Sequence, residues 1–189
     1  MRKSFLMKKQ KQKSLIKHKM KAKTLFLRYA MPCLVERIRR GEFTQEEFEK
    51  FCEDLIRGRD IPDEEMYRLF PVAMNFINDS AKKKNKFDGK VAIIDKDVVR
   101  QYFWYDHDDV VEKRMNPERK KYCLVLPAKV KEVNGKIALV QTPLDEREIN
   151  LAFIGSENML DKKVTVHYYH ACEEISDQEF KELWEMKSG

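Results

Sequence analysis

At Tyr122 the hydrophobic period of the chain changes from 3.6 to 2, and nothing else in the sequence limits the fold as strongly. Before it, apolar residues recur at helical spacing. In "TLFLRYAMPCLVERIRRG" they are Leu25, Leu27, Ala30, Leu34, Val35 and Ile38, with Pro32 predicting a kink and Gly41 a C-terminal stop. "TQEEFEKFCEDLIRG" carries Thr44 and Glu47 at capping-box spacing, an apolar stripe that includes Cys52, and a closing Gly58. A third helix is expected from about Pro62 to Lys84, bent at Pro71, followed by the polar break "KKKNKFDGK". Asp97 is expected to cap a fourth, "VVRQYFWYDHDDVVEKRM", ended by Asn116-Pro117.

After Tyr122 the pattern is that of short strands. "CLVLPAKVKEV" reads as a strand interrupted by Pro127, and Asn134-Gly135 is a strong hairpin signal. "KIALVQT", "REINLAFI" and "KKVTVHYYHA" follow as strands. "SDQEFKELWEMK" is a terminal helix, with Ser176 and Glu179 at capping-box spacing. Four or five short strands within so few residues imply a small curled barrel. The expected fold is α+β: an N-terminal helical region, then a small OB-like β-barrel with a C-terminal helix. The expected division is a basic tail over 1–23, a helical domain over 24–120 and a barrel domain over 121–189.

The 189-residue chain has a formal net charge of +6, but residues 1–23 carry ten Lys/Arg and no acid. The remainder has 28 basic and 32 acidic residues, so the basicity belongs to a tail and not to a face of the fold. Such a tail binds RNA or an acidic partner through charge, or is simply a solvated extension. Met20 is a candidate alternative start that would remove most of the excess charge. No apolar run is long enough to cross a membrane, and no secretory signal is recognisable, so the cytoplasm is expected. The four cysteines, Cys33, Cys52, Cys123 and Cys172, form no CxxC pair; reduced thiols are expected.

"YDHDD" invites a metal reading, but on a helix Asp106, His107, Asp108 and Asp109 fan around the circumference and cannot converge on one ion. His107 is expected to pack or hydrogen-bond on the Phe103/Val110 side. The sequence contains no P-loop, GxGxxG or HExxH, and no nucleophile–base pair at usable spacing, so catalysis is not expected.

"YCLVLPAKVKEVNG", "REINLAFIG", "VTVHYYHACEEI" and "EFKELWEM" occur in that order within residues 122–186. This ordered set resembles the HypC/HupF hydrogenase maturation chaperones, small OB-like proteins that open on a Met-Cys-Leu-x-x-Pro-Gly pattern. The resemblance implies that Cys123 is the functional thiol, that His167 matches the family's fourth-strand histidine, and that Pro127 matches the proline of the opening motif. It implies two partners, the precursor of a [NiFe]-hydrogenase large subunit and a HypD-like scaffold protein. It also implies a transiently carried Fe(CN)2(CO) group, with iron held through Cys123. A thiolate is a soft donor suited to low-spin iron, and an imidazole nearby favours the deprotonated form. Here the cysteine is internal, so the terminal amine that accompanies it in the family is absent; Ala128 replaces a glycine, and Tyr169-His170 replace Gly-Phe.

Two other readings stay open. His167, His170 and Cys172 with Cys123 make a nominal zinc set, although 167 and 170 face opposite ways in a straight strand. An OB-like barrel with a basic arm is also a single-stranded nucleic-acid binder, with Phe153, Tyr168 and Tyr169 available for stacking. Against that, residues 122–189 carry eight basic and twelve acidic side chains.

Overall fold

The computed structural model describes residues 22–89 and 91–189, excluding the side chains of Val91, Arg114, Pro117, Glu118 and Arg119. Most of the basic tail, residues 1–21, lies outside the described residues; Lys23 is already helical and bridges Asp60 and Asp63. No helix among the described residues is long and apolar enough to cross a membrane.

Residues 22–30 form α1. Pro32 tightens the chain into the 3-10 turn Met31–Cys33 before α2, Leu34–Arg39. Gly41, at φ 71°, reverses the path. Helix α3, Gln45–Ile56, begins on a complete capping box between Thr44 and Glu47. The expected bend at Pro71 is a full break: α4, Asp63–Leu69, and α5, Pro71–Lys83, flank a non-helical Phe70. The polar break contains a two-rung hairpin, β1 Phe87–Asp88 with β2 Val91–Ala92.

Helix α6, Lys96–Arg100, is capped by Asp95 rather than Asp97: the extended Asp95 accepts from the Val98 amide at 3.0 Å. It runs into a π-helical stretch, Gln101–Asp106, then α7, His107–Arg114. The wide turn buries Tyr102, Phe103 and Trp104 together. Asn116-Pro117 ends α7 as expected, but Pro117 also opens a further helix, α8, Pro117–Cys123. Cys123 therefore stands at the end of a helix and not at the head of a strand.

The strands are β3 Leu126–Asn134, β4 Ile137–Gln141, β5 Glu146–Asn150, β6 Lys163–His167 and β7 His170–Glu174. They close in the order β3-β4-β5-β7-β6, with β3 pairing β6 and a single parallel rung joining β5 to β7. That is the five-stranded OB arrangement. Pro127 lies inside β3 without breaking it. Leu126–Ala128 pair with β6, whereas the β4 pairing begins at Lys129, leaving one edge free to take a residue without an N–H. The hairpin turn sits one residue later than Asn134-Gly135 suggests: Asn134 pairs with Ile137, and Gly135, at φ 60°, and Lys136 form the bend. "KKVTVHYYHA" is two strands, folded back at Tyr168-Tyr169 so that His167 pairs with His170. Helix α9, Asp177–Ser188, starts on the expected Ser176/Glu179 capping box.

The barrel has its own aliphatic interior, including Leu126, Val130, Val140, Ile149 and Val166. A larger core joins α1 and the helices to Val125, Phe153, Cys172, Ile175 and Leu183 of the C-terminal part. Polar contacts cross the same boundary. The fully buried Tyr29 hydroxyl bonds Thr165 and Glu173, each at 2.7 Å, and accepts from Trp104 Nε1 at 2.8 Å. Arg100 pairs with Glu173 at 2.7 Å and with Glu179, and its guanidinium lies 4.3 Å over the Trp104 ring.

Candidate functional site

Four separate elements converge where α1 and α8 meet the barrel. The 3-10 turn contributes Cys33, the exit of the π-helical stretch His107, the end of α8 Cys123, and the end of β6 His167. One donor atom from each side chain can be chosen so that all four lie within 4.8 Å of one another.

Local structure explains each placement. Pro32 stops α1 and turns Cys33 toward the barrel. The Tyr168 amide donates to the Tyr122 carbonyl at 2.7 Å, tying the β6–β7 turn to the end of α8 beside Cys123. Tyr168 holds φ 52°, costly for an aromatic residue, and packs with Val111 and Cys123 in one buried cluster. His167 is fully buried; its Nδ1 lies 2.7 Å from the Tyr29 carbonyl and its Nε2 3.7 Å from Cys33 Sγ. Because a carbonyl only accepts, Nδ1 carries a proton, and Nε2 is the ring nitrogen that faces the sulfur of Cys33. The His107 and His167 rings meet edge to face, with centroids 5.1 Å apart.

The neighbouring Cys33 thiol, followed by His107 and His167, holds the Cys123 thiol well below its ordinary range despite burial. The same contact with Cys123, together with burial, pushes Cys33 up. Burial lowers His107. Among the described residues His107 Nδ1, also buried, has no hydrogen-bond partner. A cavity of about 580 Å³ opens onto the cluster, lined by Cys33, His107, Cys123 and Tyr168, by apolar Leu34, Phe70 and Val110, and by Arg37, Arg40 and Glu42.

Cys123 and His167 are thus brought together. Pro127 lies in β3 opposite Thr165 and has no donor atom to offer. His170 and Cys172 are elsewhere. His170 stacks on Phe153 at 5.0 Å, and Cys172, displaced by a bulge in β7, is fully buried with its sulfur 3.5 Å from the Arg28 carbonyl. Two of the three aromatics considered for base stacking, Phe153 and Tyr168, are buried, which leaves Tyr169 exposed. Asp106 joins Ser80 and Lys83, and Asp108 joins Lys187, so these two acids of "YDHDD" serve structural contacts while His107 enters the cluster.

A buried sulfur at the end of α8, an imidazole at the end of β6 and a closed OB-type barrel belong to the segment that begins at Tyr122. Residues 122–186 match the HupF/HypC family. The HupF/HypC segment spans the end of α8, the whole barrel and most of α9. The match supports a hydrogenase-maturation chaperone role in general terms. Cys33 and His107 lie outside the HupF/HypC segment, in the helical half. A comparison of the chain with curated proteins found no match. Neither Cys33 nor His107 carries a local spacing signal; only the Pro32 turn and the π-helical exit, both irregularities, mark their positions.

Proposed function

We propose that the chain is a hydrogenase maturation chaperone that engages a [NiFe]-hydrogenase large-subunit precursor, the HypD-like scaffold protein, or both, through Cys123, and carries Fe(CN)2(CO) there as cargo. The family match over 122–186 supports the role, and the observation that carries the site is the pairing of Cys123 with His167 beside an open cavity. A thiol whose pKa is lowered by its neighbours more readily supplies the thiolate that ligates iron or meets a partner's metal centre. The Nε2 of His167, fixed by the Tyr29 carbonyl, is placed either to coordinate the same ion or to share a proton with the sulfur. The cavity offers a partner apolar walls, beside Arg37 and Arg40, which are both paired with Glu42.

The test is anaerobic pull-down of a large-subunit precursor by the full chain and by Cys123→Ala. Capture by the wild type and its loss in the variant are expected, and equal capture by both removes the thiol from the mechanism. Infrared spectra of the anaerobically purified chain report the cargo separately, through cyanide and carbonyl stretches.

A further inference from the structure

From the placement of Cys33, His107, Cys123 and His167 we infer a resident Cys2His2 site for a single divalent metal ion of the zinc class, built jointly by the helical half and the barrel. Two thiols and two imidazoles are the donor set that tetrahedral zinc takes in closed structural sites. At bond lengths of about 2.0–2.3 Å, neighbouring donors of a tetrahedron lie roughly 3.3–3.8 Å apart. The 3.7 Å separation of Cys33 Sγ from His167 Nε2 falls in that interval, and the 4.8 Å limit on the set requires only a small contraction.

Two further observations point to an ion. His167 gives its other ring nitrogen to a backbone carbonyl, the usual outer contact of a metal-bound histidine, which fixes the tautomer with Nε2 free to ligate. His107 is 5% exposed, its Nδ1 has no hydrogen-bond partner among the described residues, and one of its ring nitrogens belongs to the four-donor set. Cys52 and Cys172, by contrast, lie outside the donor set.

The site goes beyond the maturation role and does not rest on it. With four protein donors bound, the ion is coordinatively closed, and Cys123 is withheld from any other partner until the ion leaves. Bound metal also ties the 3-10 turn and α7 to α8 and β6, linking the two halves by coordination in addition to their shared core.

The experiment is anaerobic titration of the reduced, metal-free full chain with cobalt(II), followed by displacement with zinc. One equivalent is expected, with visible bands of tetrahedral intensity and thiolate charge-transfer absorption, bleached by one equivalent of zinc. Cys33→Ser and His107→Gln should each weaken binding at least tenfold, whereas Cys52→Ser leaves it unchanged. Should the first two variants fail to fold, the wild type still decides: zinc should protect Cys33 and Cys123 together from alkylation, mapped by peptide mass. Octahedral spectra, binding unchanged in folded Cys33→Ser, or equal alkylation with and without zinc each overturn the site. None of these readouts involves a hydrogenase partner, so failure here is distinguishable from failure of the pull-down.

Discussion

Replacing Tyr29 by Phe removes one oxygen and nothing else, which makes it the sharpest test of what joins the two halves. The hydroxyl is fully buried and engages Thr165, Glu173 and the Trp104 N–H at 2.7, 2.7 and 2.8 Å. In Tyr29→Phe the carboxylate keeps Arg100, and Thr165 loses a neutral bond. The indole N–H, on a ring only 5% exposed, is left without an acceptor. A neutral bond contributes about 0.5–1.5 kcal/mol, a bond to a charged group about 1.5–3, and an orphaned buried donor costs about 1–3. Because these losses overlap, the expected destabilisation is about 3 kcal/mol, or roughly 6–12 °C in Tm for a chain of this size. Urea denaturation followed by tryptophan fluorescence and circular dichroism should show a lower midpoint at an unchanged slope. The backbone carbonyl that holds His167 survives the substitution, so cobalt binding by the folded variant should be retained. A loss below about 0.5 kcal/mol would mean that water or a rearranged side chain replaces the hydroxyl, refuting the view that this network is closed.

Two other perturbations follow. Arg100→Met leaves the buried Glu173 carboxylate only the Tyr29 hydroxyl and the more exposed Lys96, 3.5 Å away, and should cost about 3 kcal/mol, while adding Glu173→Gln should recover part of that loss; a double-mutant cycle in urea measures the coupling, and strict additivity contradicts it. Burial, with His167 nearby, lowers the folded pKa of His170 to about 4. The unfolded chain therefore binds the proton first, and stability is lost as pH falls from about 6.5 toward 4. The His170 share is about 2 kcal/mol at pH 5, which His170→Phe should abolish while keeping the stack on Phe153. Comparing urea midpoints at pH 7 and pH 5 for the two chains checks this, and equal pH slopes contradict it.

The parts of the fold that local chemistry decides were readable from the sequence. The Thr44/Glu47 and Ser176/Glu179 boxes start their helices where expected, whereas the change of period at Tyr122 falls in the last turn of α8, just ahead of the first barrel strand at Leu126. Misplaced features lie where two local rules compete. Asp95 and Asp97 are both plausible caps, and only the reach of a side chain to the Val98 amide selects one. Pro117 both ends one helix and begins another, which moves Cys123 from strand to helix. Pro127 was read as an interruption because its free edge is a property of the closed sheet and not of the residue. For the site, the pair Cys123 and His167 emerged from resemblance, whereas Cys33 and His107 could not. Their meeting depends on a π-helical turn and on how α1 docks, and no spacing along the chain encodes that. Within "YDHDD" the structure puts His107 beside donors from three other elements, a grouping that spacing inside one helix does not reveal.

The bond between His167 Nδ1 and the Tyr29 carbonyl is made to main chain, so no side-chain replacement at position 29 can delete it. With His167 in place, departure of α1 from the barrel breaks it, and the same departure carries Cys33 away. Whatever pries that N-terminal segment loose would at one stroke release the ring and thin the sulfur pair, so the docking state of the helices is written into the imidazole's tautomer and legible in its nitrogen chemical shifts.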